Sequence, residues 1–314
     1  MYRLLAAMIL FMLSAPSAPV AQNATPAARN ATANLPNKDS SLRFAVLGDT
    51  GTGGSDQMRL AQVVVNARRT FPFELVIMLG DNMYGGEGPS DFVKKFERPY
   101  KPLLDAGVKF YASLGNHDEP GTQRLYKPFN MNGERFYSFR PKLGVRFFAL
   151  DSNYMDKSQL DWLEKELTAS GSEWKIAFFH HPPYSSGDKH GSSVALREQL
   201  EPLFIKHGVS VVFNGHEHFY ERLKPQKGIA YIIAGSGAKL RRGGLAPSNM
   251  TAKGYDQGFA FMLVEIDGDQ MYFHTIGDKA QTIDAGVITR RVQAPAGQPA
   301  ATATGGTAPP APAR

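Results

Sequence analysis

Short apolar runs of strand length alternate along this chain with stretches in which apolar positions recur every three to four residues. Residues 42–47 (Leu-Arg-Phe-Ala-Val-Leu) read as a strand, and 56–69 then places Leu60, Val63, Val64 and Ala67 on one side of a helix. A second strand is expected at 74–79, a helical stretch at 92–104 broken by Pro99 and Pro102, and a third strand at 108–113. Residues 136–140 and 145–150 read as a strand pair around Pro141-Lys142-Leu143-Gly144. Helices follow at 156–168, with Asp156 as cap, and at 193–206. Further strands are expected at 174–179, 209–213, 229–234, 258–265 and 270–276. Strand–helix alternation followed by a run of strands predicts an α/β fold, a four-layer α/β/β/α sandwich of two mixed sheets with flanking helices.

The two ends break this pattern. Arg3 precedes an apolar stretch at 4–13 and the small-residue segment 14–21, which together describe an exported chain with a signal peptide over 1–21, cleaved after Ala21. The stretch falls short of the roughly 20 residues that a membrane span needs, so no membrane association is expected after cleavage, and the mature chain is secreted or periplasmic. Residues 22–40 are rich in Ala, Asn, Thr and Pro and read as a disordered lead-in; 291–314 reads as a disordered Ala/Pro-rich tail. One catalytic domain is expected over 41–290.

Composition narrows the chemistry by exclusion. With no cysteine in 314 residues, disulfides, thiolate catalysis and cysteine-bound zinc are ruled out. The formal net charge is +6, but the basic residues occur at most in pairs such as Arg68-Arg69, Lys94-Lys95 and Arg241-Arg242. That distribution describes a solvated basic surface, and no nucleic-acid partner is expected.

Five polar islands follow the apolar runs: Gly48-Asp49-Thr50-Gly51, Gly80-Asp81-Asn82-Met83-Tyr84, Gly115-Asn116-His117-Asp118, His180-His181-Pro182-Pro183-Tyr184 and Gly215-His216-Glu217-His218. Any one of them reads as an ordinary turn. In series, each at the end of an expected strand, they collect Asp, Asn, Tyr and His, where loops of open α/β sheets converge on ligands. Those donors suit iron, zinc or manganese, and a carboxylate can bridge two cations.

The five islands, in this order, resemble the metallophosphoesterases and, through the Tyr of GDxxY, the purple acid phosphatases; the resemblance spans about 42–276. It implies a metallophosphoesterase fold in which Asp49, Tyr84 and His218 hold Fe(III), Asn116, His180 and His216 hold a divalent Fe, Zn or Mn, and Asp81 bridges the two. It also implies that His117, near the phosphate, and His190, ten residues beyond His180, protonate the leaving group or contact phosphate. His181 has no counterpart in that pattern. The activity implied is an exported acid phosphatase hydrolysing small phosphomonoesters by metal-hydroxide attack at a dinuclear centre. The rival activities are a phosphodiesterase or nucleotide-cleaving enzyme on the same core, and a non-catalytic secreted phosphate-binding protein. Glu221 and Arg222 read as a structural ion pair, and Gly235-Ser236-Gly237-Ala238 as a turn beneath the site.

Overall fold

The computed structural model describes residues 34–291. The signal segment expected at 1–21, residues 22–33 of the lead-in and residues 292–314 of the tail lie outside the described residues. Two mixed sheets stack face to face. The first is built on three parallel strands, β1 (Leu42–Leu47), β2 (Leu75–Met78) and β3 (Lys109–Ala112). Beyond β1 it continues antiparallel through β11 (Ala260–Asp267), β12 (Gln270–Gly277) and β13 (Thr282–Thr289).

The second sheet contains β4 (Tyr137–Lys142), β5 (Val145–Ala149), β6 (Trp174–Phe179), β7 (Val211–Asn214), β8 (Tyr220–Leu223), β9 (Ala230–Ala234) and β10 (Thr251–Tyr255). Its strand order is β10-β8-β9-β7-β6-β5-β4, with β5, β6, β7 and β9 parallel neighbours.

Period-two alternation decides which layer each side chain joins. In β6, Trp174, Ile176 and Phe178 enter the core between the sheets, while Ala177 and Phe179 enter a second cluster with Leu163 and Leu167 of α5 (Lys157–Ala169) and Leu200 and Phe204 of α6 (Val194–His207). Every residue of β6 is therefore buried, as a strand covered on both faces must be. Between the sheets, the Phe44 ring meets that of Phe147 edge-on, with centroids 5.3 Å apart; side chains of this size contribute roughly 1.5–3 kcal/mol each on burial. Helices α1 (Ser55–Arg68) and, after the short α2 (Pro89–Phe92), α3 (Arg98–Asp105) cover the first sheet through Leu60, Val64, Tyr100 and Leu103. The fold is the four-layer sandwich expected, and Asp156 caps α5 by accepting from Gln159 N at 2.9 Å.

Four local readings change. The prolines do not break 92–104: a π-turn, Val93–Glu97, joins α2 to α3 just ahead of Pro99, and the Lys95 carbonyl, which Pro99 has no N–H to serve, accepts from Gln57 Nε2 at 2.6 Å. Strands β8, β10 and β13 are unmarked in the sequence: β10 and β13 are sheet edges with no fully buried position, whereas β8, between β10 and β9, is a largely buried strand of only four residues in a polar-containing stretch, Tyr-Glu-Arg-Leu. Residues 34–40 are not loose: Leu35 packs on the core, and Asn37 N and Lys38 N donate to the buried Glu265 carboxylate at 2.6 and 2.8 Å. Finally, Glu221 and Arg222 do not pair with each other. Successive residues of a strand face opposite ways, so Arg222 binds Asp284 at 2.7 Å while Glu221 accepts from Ser186 N and Thr251 Oγ1.

Candidate metal centre

The C-terminal ends of β1, β2 and β3 in one sheet, and of β6 and β7 in the other, come together at one end of the sandwich. Asp49, Asp81 and Asn116 follow the first three, and His180, His216 and His218 follow the other two. The chain turns sharply to deliver these side chains: Asp49, Asp81 and His216 all have positive φ, at 57°, 49° and 70°. Asp tolerates this region, whereas His adopts it at a cost of order 1–3 kcal/mol, so the surrounding structure must hold it.

The loops hold one another through the donors themselves. His216 N donates to Asp49 Oδ2 and His117 N to Asp81 Oδ1, each at 3.0 Å. Glycines permit the approach: a Cβ on Gly115 would lie 2.3 Å from Asp81 Oδ1, and one on Gly215 would lie 2.6 Å from Asp49 Oδ2. The turn at Gly235–Ala238 lies against the same place, with Ala238 N donating to Asp49 O at 2.9 Å.

The donor atoms fall into two groups. In the first, Tyr84 Oη lies 3.2 Å from Asp49 Oδ1 and 3.4 Å from His218 Nε2, and His218 Nε2 lies 3.4 Å from Asp49 Oδ1. In the second, Asn116 Oδ1 is 3.0 Å from both His180 Nε2 and His216 Nδ1, which are 3.1 Å apart. Asp81 lies between them: its Oδ1 is 3.4 Å from His180 Nε2, and its carboxylate, that of Asp49 and the His180 ring bring their donor atoms within 4.8 Å of one another. Of the two histidines in the fourth island, His180 is fully buried and joins the cluster. His181 turns aside to Ser152, with Nδ1 2.9 Å from Oγ, yet still comes near enough to form a donor cluster with His180 and His216.

The two histidines expected to handle protons are both exposed and flank the cluster. The His117 ring lies 4.9 Å from that of Tyr84, and the His190 ring 4.3 Å from that of His216.

Electrostatics tests whether cations fit. Burial and the neighbouring Asp81 carboxylate push the Asp49 carboxyl well above its usual range. Burial, with Asp49 and Asp81 alongside, holds the Tyr84 hydroxyl up. The imidazoles shift the other way. Burial and then His181 depress His180 far below an ordinary histidine; burial and His180 lower His216 to about 2; burial and Arg241 lower His218 to about 4. Moreover, His180 Nδ1 faces the Leu79 carbonyl at 2.9 Å and must donate to it, so Nε2 presents a bare lone pair to the Asn116 oxygen. Crowded acids that resist ionising, beside neutral imidazoles whose lone pairs converge, form a set that a pair of cations relieves. The residues fit a metal pair.

Several residues around the cluster carry no sequence signal beyond their place in an island. Buried Asp118 accepts from Gly115 N at 2.7 Å, Met83 N at 2.9 Å, Gln123 Nε2 at 2.6 Å and Asn82 Nδ2 at 3.1 Å, tying the second island to the third. Its carboxyl is pushed up to about 8 by burial and by Asp81. Glu217, fully buried between two donor histidines, accepts from Arg241 Nη1 at 2.9 Å. Glu217 was named only as a member of the Gly-His-Glu-His run, where a carboxylate between two histidines could have marked it, and Arg241 only as half of a basic pair. A groove of about 510 Å³ opens beside the second donor group, lined by Asn116, Ser152, Asn153, Tyr154, His181 and Leu196 among others.

Comparison with known proteins agrees with this geometry. The family model described as Calcineurin-like phosphoesterase matches residues 42–220. Mouse "Tartrate-resistant acid phosphatase type 5" is 27% identical over 62% of this chain and 72% of its own length. "Purple acid phosphatase 17" of Arabidopsis thaliana is 26% identical over 76% of this chain and 83% of its own length. Among solved structures, that of "GAP50 the anchor in the inner membrane complex of Plasmodium" superposes with a TM-score of 0.70 at 19% identity, covering 80% of this chain and 89% of that one.

Proposed function

We propose that this chain, which belongs to the calcineurin-like phosphoesterase family, is an exported acid phosphatase that hydrolyses phosphomonoesters at a dinuclear metal centre. One observation carries the reading: two groups of three donors, each packed within 3.0–3.4 Å, lie on either side of the Asp81 carboxylate, which is near Asp49 of one and His180 of the other. The fold alone is a weaker argument, since a relative of the same fold is described as an anchor. A binding protein has no need of this donor set with an exposed histidine on either side.

Asp49, Tyr84 and His218 would hold one metal, Asn116, His180 and His216 the other, and Asp81 both. Three anionic oxygens on the first side suit a trivalent ion such as Fe(III), and the neutral donors of the second suit divalent iron, zinc or manganese. A metal pair bound there supplies charge against that developing on the phosphoryl oxygens and acidity for the attacking water.

The protein's own residues do the rest. Asp118 fixes the loops that carry Tyr84 and Asn116, which keeps the donors in register without adding charge to the cleft. His117 stands beside Tyr84 with its backbone tied to Asp81, which keeps it at the flank of the donor cluster and supports a role in proton transfer. It gives a proton to the departing alkoxide, a contribution of typically 10²–10⁴-fold. His190 stands on the opposite flank, beside His216, and donates to a phosphoryl oxygen. Arg241 Nη2 is 3.3 Å from His190 Nε2 and engages that lone pair, leaving the other ring nitrogen as the donor.

Export rests on the charged start, apolar stretch and small-residue segment at residues 3–21. Among the described residues, no helix is long and apolar enough to cross a membrane.

Turnover of 4-nitrophenyl phosphate against bis(4-nitrophenyl) phosphate, from pH 4 to 8 with metal analysis of the same sample, tests the proposal. The monoester should be the faster substrate, with two metals per chain. Faster diester cleavage indicates a phosphodiesterase, and metal-replete protein inert to both substrates is a binding protein.

A further inference from the structure

The cleft is asymmetric in charge. On the side of Asn116 and His181, the 510 Å³ groove has no Lys or Arg in its lining. Two cations stand elsewhere on the rim, Lys239 beside Tyr84 and Arg241 between His218 and His190. Lys239 Nζ lies 4.5 Å from the centroid of the Tyr84 ring, and among the described residues it has no ion-pair partner. Two residues on, Arg241 donates its backbone N–H to His218 O at 3.0 Å, and its guanidinium reaches across to His190, with Nη2 3.3 Å from Nε2.

Arg241 is not a loose surface side chain. Glu217 accepts from its Nη1 at 2.9 Å, and the other Glu217 oxygen accepts from Gly191 N at 2.8 Å, so one buried carboxylate fixes both the arginine and the loop that carries His190. The fit is close: a Cβ on Gly187 would lie 2.1 Å from Glu217 Oε1. Isolating a carboxylate from water costs several kcal/mol. The pairing offsets that cost and fixes the guanidinium with its Nη2 against the exposed His190, so that its remaining N–H groups are held at the rim of the donor cluster.

The phosphate itself does not require these cations. A trivalent and a divalent ion against Asp49, Asp81 and Tyr84 as anions leave roughly two positive charges, which a phosphomonoester dianion cancels. Lys239 then adds an uncompensated charge, and Arg241 adds oriented donors, on the rim of a centre that is already balanced.

We propose that Lys239 and Arg241 form a second anion subsite beside the metal centre, so that the preferred substrates are phosphate esters whose leaving group carries its own negative charge. The inference rests on the phosphomonoesterase reading above. Glu217 is the positioning residue of the subsite, acting through Arg241.

The test compares 4-nitrophenyl phosphate with 2-carboxy-4-nitrophenyl phosphate, using the metal-loaded wild type and Lys239→Gln, Arg241→Gln and Glu217→Gln. The wild type should favour the carboxylated ester by at least about tenfold in kcat/KM, mainly through KM, because the extra charge is bound in ground and transition states alike. Each substitution of a cation should lower that ratio by about tenfold, the worth of one charge-assisted hydrogen bond. Glu217→Gln should lower it less, since the amide still accepts one hydrogen bond from Arg241. In the wild type alone, raising salt from about 0.05 to 0.5 M should shrink the preference, because the subsite is partly solvated.

Equal kcat/KM for the two esters in the wild type, or a preference indifferent to salt, overturns the subsite while leaving the phosphatase reading in place. So does a cation variant that loses both esters in the same proportion. A wild type that turns over neither ester overturns both inferences together.

Discussion

The two halves of the donor cluster are built from different chemistry and behave differently without a cation. The half made by Asp49, Tyr84 and His218 is rich in oxygen, and burial with Asp81 nearby drives its acids toward their neutral forms. The half made by Asn116, His180 and His216 is neutral, its imidazoles held deprotonated far below the ordinary range. One half is strained by charge that lacks a counter-charge, and the other by lone pairs that lack a proton. A cation relieves both, but a higher charge gains more in the first. The difference teaches that the two positions of the proposed metal pair would offer their ions unlike sets of donors.

Removing what the halves share should have the largest effect. Asp81→Asn takes away the carboxylate that touches both groups; metal analysis should show both positions depleted, and turnover should fall by about 10³-fold or more. Normal occupancy of both positions would contradict a bridge. His117→Ala comes next: turnover should fall by about 10²–10⁴-fold while both metals stay bound. Loss of metal in that variant would recast His117 as a ligand.

Tyr84→Phe separates the halves. With iron in the oxygen-rich half, the visible iron–phenolate absorption should vanish while the second metal is kept. An unchanged spectrum would remove Tyr84 from the donor set.

The smallest effect concerns the metal-free protein. His216 and His218 are lowered to about 2 and about 4, so the unfolded chain binds protons there more readily than the folded one. Their contribution to stability is present above the unfolded imidazole value of about 6.5 and is lost as pH falls toward their folded values. Asp49, raised, works in reverse: its contribution is present below the unfolded carboxylate value and is lost as pH rises through its folded value. Thermal unfolding of chelated protein should show the melting temperature dropping from about pH 6.5 to 4, less steeply in His218→Gln. A slope unchanged in His218→Gln would mean that this imidazole is not held neutral in the folded protein, since the opposing contribution of Asp49 is common to both proteins.

Much of the fold was legible because the strands covered on both faces, such as β6, are continuous apolar runs that no surface element would show. The edge strands β10 and β13 were not, since neither has a fully buried position and so neither face demands apolar residues. The residues that converge at the strand ends were legible because a donor there needs a particular atom, and only a few side chains carry that atom. Arg241 and Lys239 were not. A cation that acts by facing a cleft looks, in sequence, like any cation on a surface, and what distinguishes Arg241 is a buried partner 24 residues away.

Sequence alone determined the layered architecture, the donor inventory and the exclusion of thiolate chemistry, because hydrophobic period and side-chain chemistry are local properties. Tertiary structure decided the rest: how the donors divide into two groups around Asp81, that His181 turns to Ser152, that Glu217 serves Arg241, and where on the rim the cations stand. These are distances between loops far apart in the chain, and only the packing of the two sheets sets them.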